Sequence, residues 1–296
     1  MKNFLLLLFF LFFVIGVSAQ DTLQLVQKDY DLQLKKTTYD KNPTVGKYYK
    51  VRGIKMYCET YGSGEPLLLI HGNGGSIDNF VYQIPYLSKK YKVIAVDSRT
   101  QGKSIDKGDS LSYEMMADDL AALLTEMKIE SAHVLGWSDG GINALLLAQR
   151  HPEKVKNIAI TGANLWPDST AIEPTEWRNS AKGFKEISDR FNDKKPKTAQ
   201  DSLSYKLQKL MFYEPNITLK QLSKIKAPVL VIGGDHDMIR PEHTMQIFRA
   251  LPNASLWIVP NSGHATLVTH SAEFNKTVAA FFARTFRKRG EGDKFF

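Results

Sequence analysis

Between Leu67 and Val259 the chain alternates short, continuous apolar runs with segments whose apolar residues recur at helical spacing. The runs Leu67–Ile70, Lys92–Val96, Ala132–Leu135, Val155–Thr161, Pro228–Ile232 and Ser255–Val259 read as strands covered on both faces. Tyr113–Met127, Gly141–Arg150, Pro241–Ala250 and a closing Ala272–Phe286 read as helices, the third opening on a proline in its first turn. Upstream, Lys47–Val51 and Ile54–Tyr61 flank Arg52-Gly53 as a hairpin would. Such alternation predicts an α/β fold, a mostly parallel sheet with helices on both faces. Gly162–Ile225 breaks the rhythm with prolines such as Pro167, Pro174 and Pro215, two tryptophans and helical stretches such as Ser202–Phe212. Lying just after a strand C-terminus, it predicts a small helical cap inserted before the strand Pro228–Ile232. Residues 20–46 are polar and read as a weakly ordered lead-in, so the main domain is expected over 47–296.

The N-terminus changes the expected address. Met1-Lys2-Asn3, an apolar run from Phe4 to Val17 and the small residues Ser18-Ala19 form the pattern of a signal peptide over residues 1–19. The run is shorter than the ~20 residues of a spanning helix. Export is therefore expected, to the periplasm or the medium. The formal charge is +8, one less without Lys2, and it is dispersed. The basic cluster Arg284–Arg289 follows the closing helix, and no nucleic-acid-binding motif accompanies it. A solvated tail is expected there, with no nucleic-acid partner. The single cysteine, Cys58, leaves no intrachain disulfide and reads as buried filler. No H-E-x-x-H, spaced Cys/His set or G-x-G-x-x-G is present, so no metal or cofactor is expected. Gly102-Lys103-Ser104 ends like a phosphate-binding loop, but Asp97 stands where that motif needs its first glycine.

Candidate chemistry gathers in four loops at strand C-terminal ends, where α/β sheets hold ligands. Gly136-Trp137-Ser138-Asp139-Gly140 reads G-x-S-x-G between a strand and a helix, a setting that holds a serine hydroxyl out on a sharp turn. His71-Gly72-Asn73-Gly74-Gly75 can face amides inward, with the Asn73 N–H as an oxyanion donor and the Asp139 N–H as a second. Gly233–Pro241 carries two carboxylates, Asp235 and Asp237; Asp237 is the better orienting acid, since Asp235 sits where it can bond turn amides. Pro260–His264 follows the last strand and supplies His264 as general base, with His270 as the weaker alternative.

The chain order Ser138, Asp237, His264 and these loops resemble the α/β-hydrolase superfamily over Gly46 to Phe286. The resemblance implies a catalytic triad of those three residues, with Asn73 and Asp139 amides as the oxyanion hole. Asp97–Ser104 resembles the family's D-x-R-G-x-G-x-S loop, except that Thr100 replaces the first glycine, so a different turn is expected. The elbow Gly136–Ile142 is similar to that of the biphenyl hydrolase-like valacyclovir hydrolases. There the acid after the nucleophile holds the substrate's α-amino group, which would make Asp139, beside Trp137, a substrate-binding residue here. Asp139 capping its own helix is the competing expectation. The leading expectation is an exported serine hydrolase of a carboxylic ester, with an amino-acyl ester as its narrower form. A carbon–carbon bond hydrolase on the same triad and a non-enzymatic ligand-binding protein are the alternatives.

Overall fold

In the computed structural model, residues 19–106, 108–192 and 198–286 are described. The sheet has eight strands: β1 (Gly46–Val51), β2 (Ile54–Tyr61), β3 (Glu65–Ile70), β4 (Tyr91–Val96), β5 (Ala132–Trp137), β6 (Val155–Thr161), β7 (Val229–Gly234) and β8 (Ala254–Val259). Their order is β1-β2-β4-β3-β5-β6-β7-β8, and only the β1–β2 and β2–β4 pairings are antiparallel. The predicted hairpin closes on Arg52 (φ 44°) and Gly53 (φ 86°), with Val51 paired to Ile54. Two successive positive φ angles match the right-handed twist of the flanking strands. The chain reverses direction across the sheet between β3 and β5, which places the loops after those strands at a switch point.

The apolar runs are strands because each residue has a helix layer to meet. In β3, Leu67 and Leu69 face one layer while Leu68 and Ile70 face the other, and all four are fully buried. The second layer holds α3 (Tyr113–Glu126), α4 (Asp139–Arg150) and α8 (Pro241–Ala250), through residues such as Leu120, Leu145 and Ile247. The first holds α2 (Gln83–Leu87), α9 (Thr266–Thr269) and α10 (Ser271–Phe282), through Ile84, Leu267 and Phe274. Each such side chain contributes about 1.5–3 kcal/mol by leaving water. Helix α3 starts where the Ser112 hydroxyl accepts Met115 N–H, and it stops before Lys128 at φ 57°. The closing helix ends at Phe282, four residues before the expected Phe286, with Ala283 as its C-cap.

Between β6 and β7 the chain forms α5 (Pro174–Asn192), α6 (Ala199–Tyr213) and α7 (Leu219–Leu222). Helices α5 and α6 meet through stacked rings, Phe184 on Phe212 at 4.5 Å and Phe191 on Tyr205 at 4.1 Å. Hydrogen bonds root this segment in the main body: Ile217 N–H to Leu165 C=O, and Glu173 N–H to Met238 C=O, both at 2.8 Å.

The lead-in departs from expectation. It contains α1 (Ala19–Lys36), an 18-residue helix, where weak order was expected. Val26, Tyr30, Gln33 and Leu34 recur at helical spacing and form its half-buried stripe. Tyr30 lies against Tyr82, whose hydroxyl donates to Asp29 at 2.5 Å. Buried Glu59 then clamps the following turn, accepting Asp40 N–H at 2.8 Å and Asn42 N–H at 3.0 Å. The polar composition concealed a narrow stripe that suffices against a neighbouring surface. The expected signal peptide lies outside the described residues save Ala19, and so do the last three residues of the basic cluster Arg284–Arg289. Among the described residues no helix is long and apolar enough to cross a membrane.

Candidate active site

The turn from β5 into α4 leaves Ser138 at φ 55°, ψ −119°, outside the backbone regions ordinary for residues with a Cβ. Such strain persists only where the surroundings over-determine it. Here they do: a Cβ on Gly140 would fall on the Ile70 carbonyl, so strand and helix meet at a contact only glycine allows. Ser138 Oγ lies 3.0 Å from His264 Nε2, and His264 Nδ1 lies 2.7 Å from Asp237 Oδ1. The same Asp237 oxygen accepts Ile239 N–H at 2.9 Å, and the Asp237 side chain is fully buried. Three residues spread over 127 positions of chain thus form one hydrogen-bonded line.

The two carboxylates after β7 separate cleanly. Asp235 accepts Asn261 N–H at 2.9 Å and Ser262 N–H at 3.0 Å. Those bonds hold its carboxyl below the ordinary range and fix the loop that carries His264. His270 is spent elsewhere, beside the Thr269 hydroxyl at 2.9 Å.

Around the serine, the loop after β3 closes tightly. A Cβ on Gly72 would lie 3.1 Å from Ser138 Cβ, so the loop that carries the Asn73 N–H runs immediately beside the Ser138 side chain. His71 is fully buried; its Nε2 accepts Ser98 N–H at 3.0 Å, leaving Nδ1–H to donate to Gly72 C=O at 2.6 Å. Burial pushes that imidazole down to about 4. Gln101 Oε1 accepts Gly74 N–H at 2.6 Å and pins the same loop from the far side. Thr100 keeps a positive φ of 62°, so the turn expected to differ survives the loss of its glycine with the backbone strained. Asp97 holds it by accepting Ile77 and Lys103 amides, and Arg99 grips buried Asp119 at 2.6 and 2.8 Å.

Asp139 is 5% exposed and does not cap its helix. Among the described residues its carboxylate bonds Asn73 Nδ2 at 2.8 Å, lies beside the Tyr113 hydroxyl, and bonds no α4 amide. Burial raises its carboxyl above the usual range, with those two neighbours pulling the other way. Trp137 corrects another expectation: it is not among the residues lining the cavity over Ser138. Its indole N–H instead donates to His264 C=O at 3.0 Å, because the strand's alternation turns it away from the serine and under the histidine loop.

That cavity encloses about 650 Å³ including its mouth. Ser138, Asp139 and His264 form its floor, Ile172, Met238 and Ile239 one wall, and Trp177, Gln208, Met211 and Phe212 a roof from the α5–α6 segment. Tyr113 and Glu214 close one end, and no lysine or arginine lines it among the described residues. Tyr113 and Glu214 escaped the sequence reading. Neither sits in a strand-end loop, and only the meeting of the α3 N-terminus with the residue that caps α6 brings them together at the cavity. Among the described residues no cluster of three potential metal ligands exists.

Comparison with known proteins gives one direction. The family model for the alpha/beta hydrolase fold matches residues 65–200. The serine hydrolase BPHL of Mus musculus is 28% identical over 245 residues, covering 78% of this chain and 84% of its own length. The 2-hydroxymuconate semialdehyde hydrolase of a Pseudomonas species is 27% identical, over 82% of this chain and 95% of its own. A solved meta-cleavage product hydrolase from Pseudomonas fluorescens superposes with a TM-score of 0.65 at 24% identity, over 81% and 98% of the two chains. With its mostly parallel eight-stranded sheet, this family-model match and these relatives, the chain has the α/β-hydrolase fold.

Proposed function

We propose that the protein is an exported serine hydrolase that cleaves carboxylic esters through an acyl-enzyme, with amino-acyl esters as its preferred class. The observation that carries the reading is the hydrogen-bonded line from Ser138 through His264 to Asp237. In this mechanism His264 Nε2 takes the Ser138 proton as Oγ attacks the ester carbonyl. The carbonyl oxygen becomes an oxyanion that the Asn73 and Asp139 N–H groups receive. His264 returns the proton to the leaving alcohol, and water, activated the same way, releases the acid. Asp237 keeps Nδ1 protonated and steadies the imidazolium that forms.

The cavity's charge supports the amino-acyl form. An α-ammonium next to the scissile carbonyl meets Asp139, one residue from the nucleophile, in a cavity with no lysine or arginine among its described lining residues. The same charge weighs against the carbon–carbon bond alternative. Relatives of that type include one named for a dienoic acid substrate, and a carboxylate would meet Asp139 and Glu214 with no lysine or arginine among the described lining residues to receive it.

Ser138→Ala is expected to abolish turnover of a short p-nitrophenyl ester; retained turnover sinks the assignment. Asp139→Asn should lower kcat/KM for an ester with a free α-amino group far more than for its deaminated analogue. Equal loss on both would remove the amino-acyl class and leave the esterase.

A further inference from the structure

We infer that Glu214 is a specificity residue that makes esters of basic amino acids the favoured substrates, Asp139 taking the α-ammonium and Glu214 the side-chain cation. This rests on the amino-acyl ester reading above. Glu214 follows the C-terminal end of α6 and reaches the catalytic cavity from the side opposite the β7 and β8 loops. One carboxylate oxygen accepts Tyr113 N–H at 3.1 Å, at the first turn of α3. The Tyr113 hydroxyl lies beside the Asp139 carboxylate. The two carboxylates therefore lie towards opposite ends of one buried tyrosine, Glu214 bonded at its backbone N–H and Asp139 beside its hydroxyl. Backbone nitrogen to phenolic oxygen is comparable with the reach of an extended lysine from its α- to its ε-nitrogen. A substrate with its carbonyl at Ser138 and its α-nitrogen at Asp139 can direct a long basic side chain along Tyr113 to Glu214.

The charges around Glu214 leave room for that guest. It has no ion pair within 4.0 Å among the described residues, and a half-buried carboxylate without a cation is a costly arrangement. Glu214 also borders an outer cavity that holds Lys206 and Lys209. Lys206 is directed to the Gly108 carbonyl, and Lys209 lies over the Tyr205 ring at 6.0 Å. Between Glu214 and the serine the walls are neutral, Gln208, Met211 and Phe212, so the stem of a basic side chain meets carbon and its tip meets charge.

The test compares ethyl esters of lysine, norleucine and hexanoic acid on wild type, Asp139→Asn and Glu214→Gln. Glutamine keeps an acceptor for Tyr113 N–H and removes only the charge. Wild type should prefer the lysine ester to norleucine, and Glu214→Gln should lower that lysine-to-norleucine ratio of kcat/KM about tenfold, the order of one charge-assisted hydrogen bond. A ratio of two substrates on one preparation cancels any change in the fraction folded. If norleucine and hexanoate esters are cleaved alike and Asp139→Asn alters neither, the amino-acyl reading fails and this inference falls with it. If that contrast holds while the lysine-to-norleucine ratio is the same in wild type and Glu214→Gln, the Glu214 assignment alone is overturned.

Discussion

Asp235 and Asp237 stand two positions apart in one loop, yet geometry separates their tasks. Asp237 turns inward to His264 Nδ1, and Asp235 turns outward to the amides of Asn261 and Ser262. Asp237→Asn is expected to lower kcat by about 10³–10⁴-fold, because an amide no longer enforces the proton on Nδ1. Asp235→Asn should cost far less, since an amide oxygen still accepts from the Asn261 or Ser262 N–H. Steady-state kinetics on one ester decides between them, and a larger loss at Asp235 would reverse the two roles. Ser138, Asp237 and His264 were legible in sequence because each ends a strand, and strand ends are marked by apolar runs. Trp137 was misread because adjacency to the nucleophile says nothing about which way a strand-end side chain points.

His243, on α8, shows how one helix roots its neighbour. Its Nε2 accepts Leu165 N–H at 3.0 Å, where the chain leaves β6 for the helical segment, and Trp166 meets it edge-on at 4.6 Å. Burial holds the imidazole at about 4, below its ordinary 6.5. As pH falls from 6.5 towards 4, the unfolded chain takes up a proton that the folded ring refuses, so stability falls with pH across that window. His243→Gln preserves an acceptor for Leu165 N–H and cannot titrate. Between pH 7 and pH 4 the variant should lose about 3 kcal/mol less stability than wild type, read from denaturant unfolding at both pH values. Parallel pH dependence in the two proteins would place the titration elsewhere. Nothing in the sequence marks His243, since a buried neutral histidine and an exposed one have the same neighbours along the chain. The strands and the helices α3, α4 and α8 were legible from periodicity, whereas α1 was not, its stripe being too narrow to stand out among lysines and glutamines.

Across the molecule, burial is uneven in a way that sets motion. Strands β3 and β5 are sealed by helices on both faces, while α5 buries only Phe184 and α6 only Leu207 and Leu210 among their described residues. Few buried contacts mean a low local opening free energy. Amide hydrogen exchange should therefore be faster over the described parts of 174–213 than over 65–70 and 132–137. Equal protection would show that the roof of the cavity opens only with the sheet.

The fold class and the strand-end positions of Ser138, Asp237 and His264 were written along the chain, because burial on two faces forces continuous apolar runs and ligand loops follow their ends. The residues that shape the cavity were not. Tyr113, Glu214 and His243 lie in unremarkable segments, and only packing brings Glu214 within a hydrogen bond of Tyr113, 101 residues earlier. Periodicity reports which face of an element is buried; what that face meets depends on distances that sequence spacing does not contain.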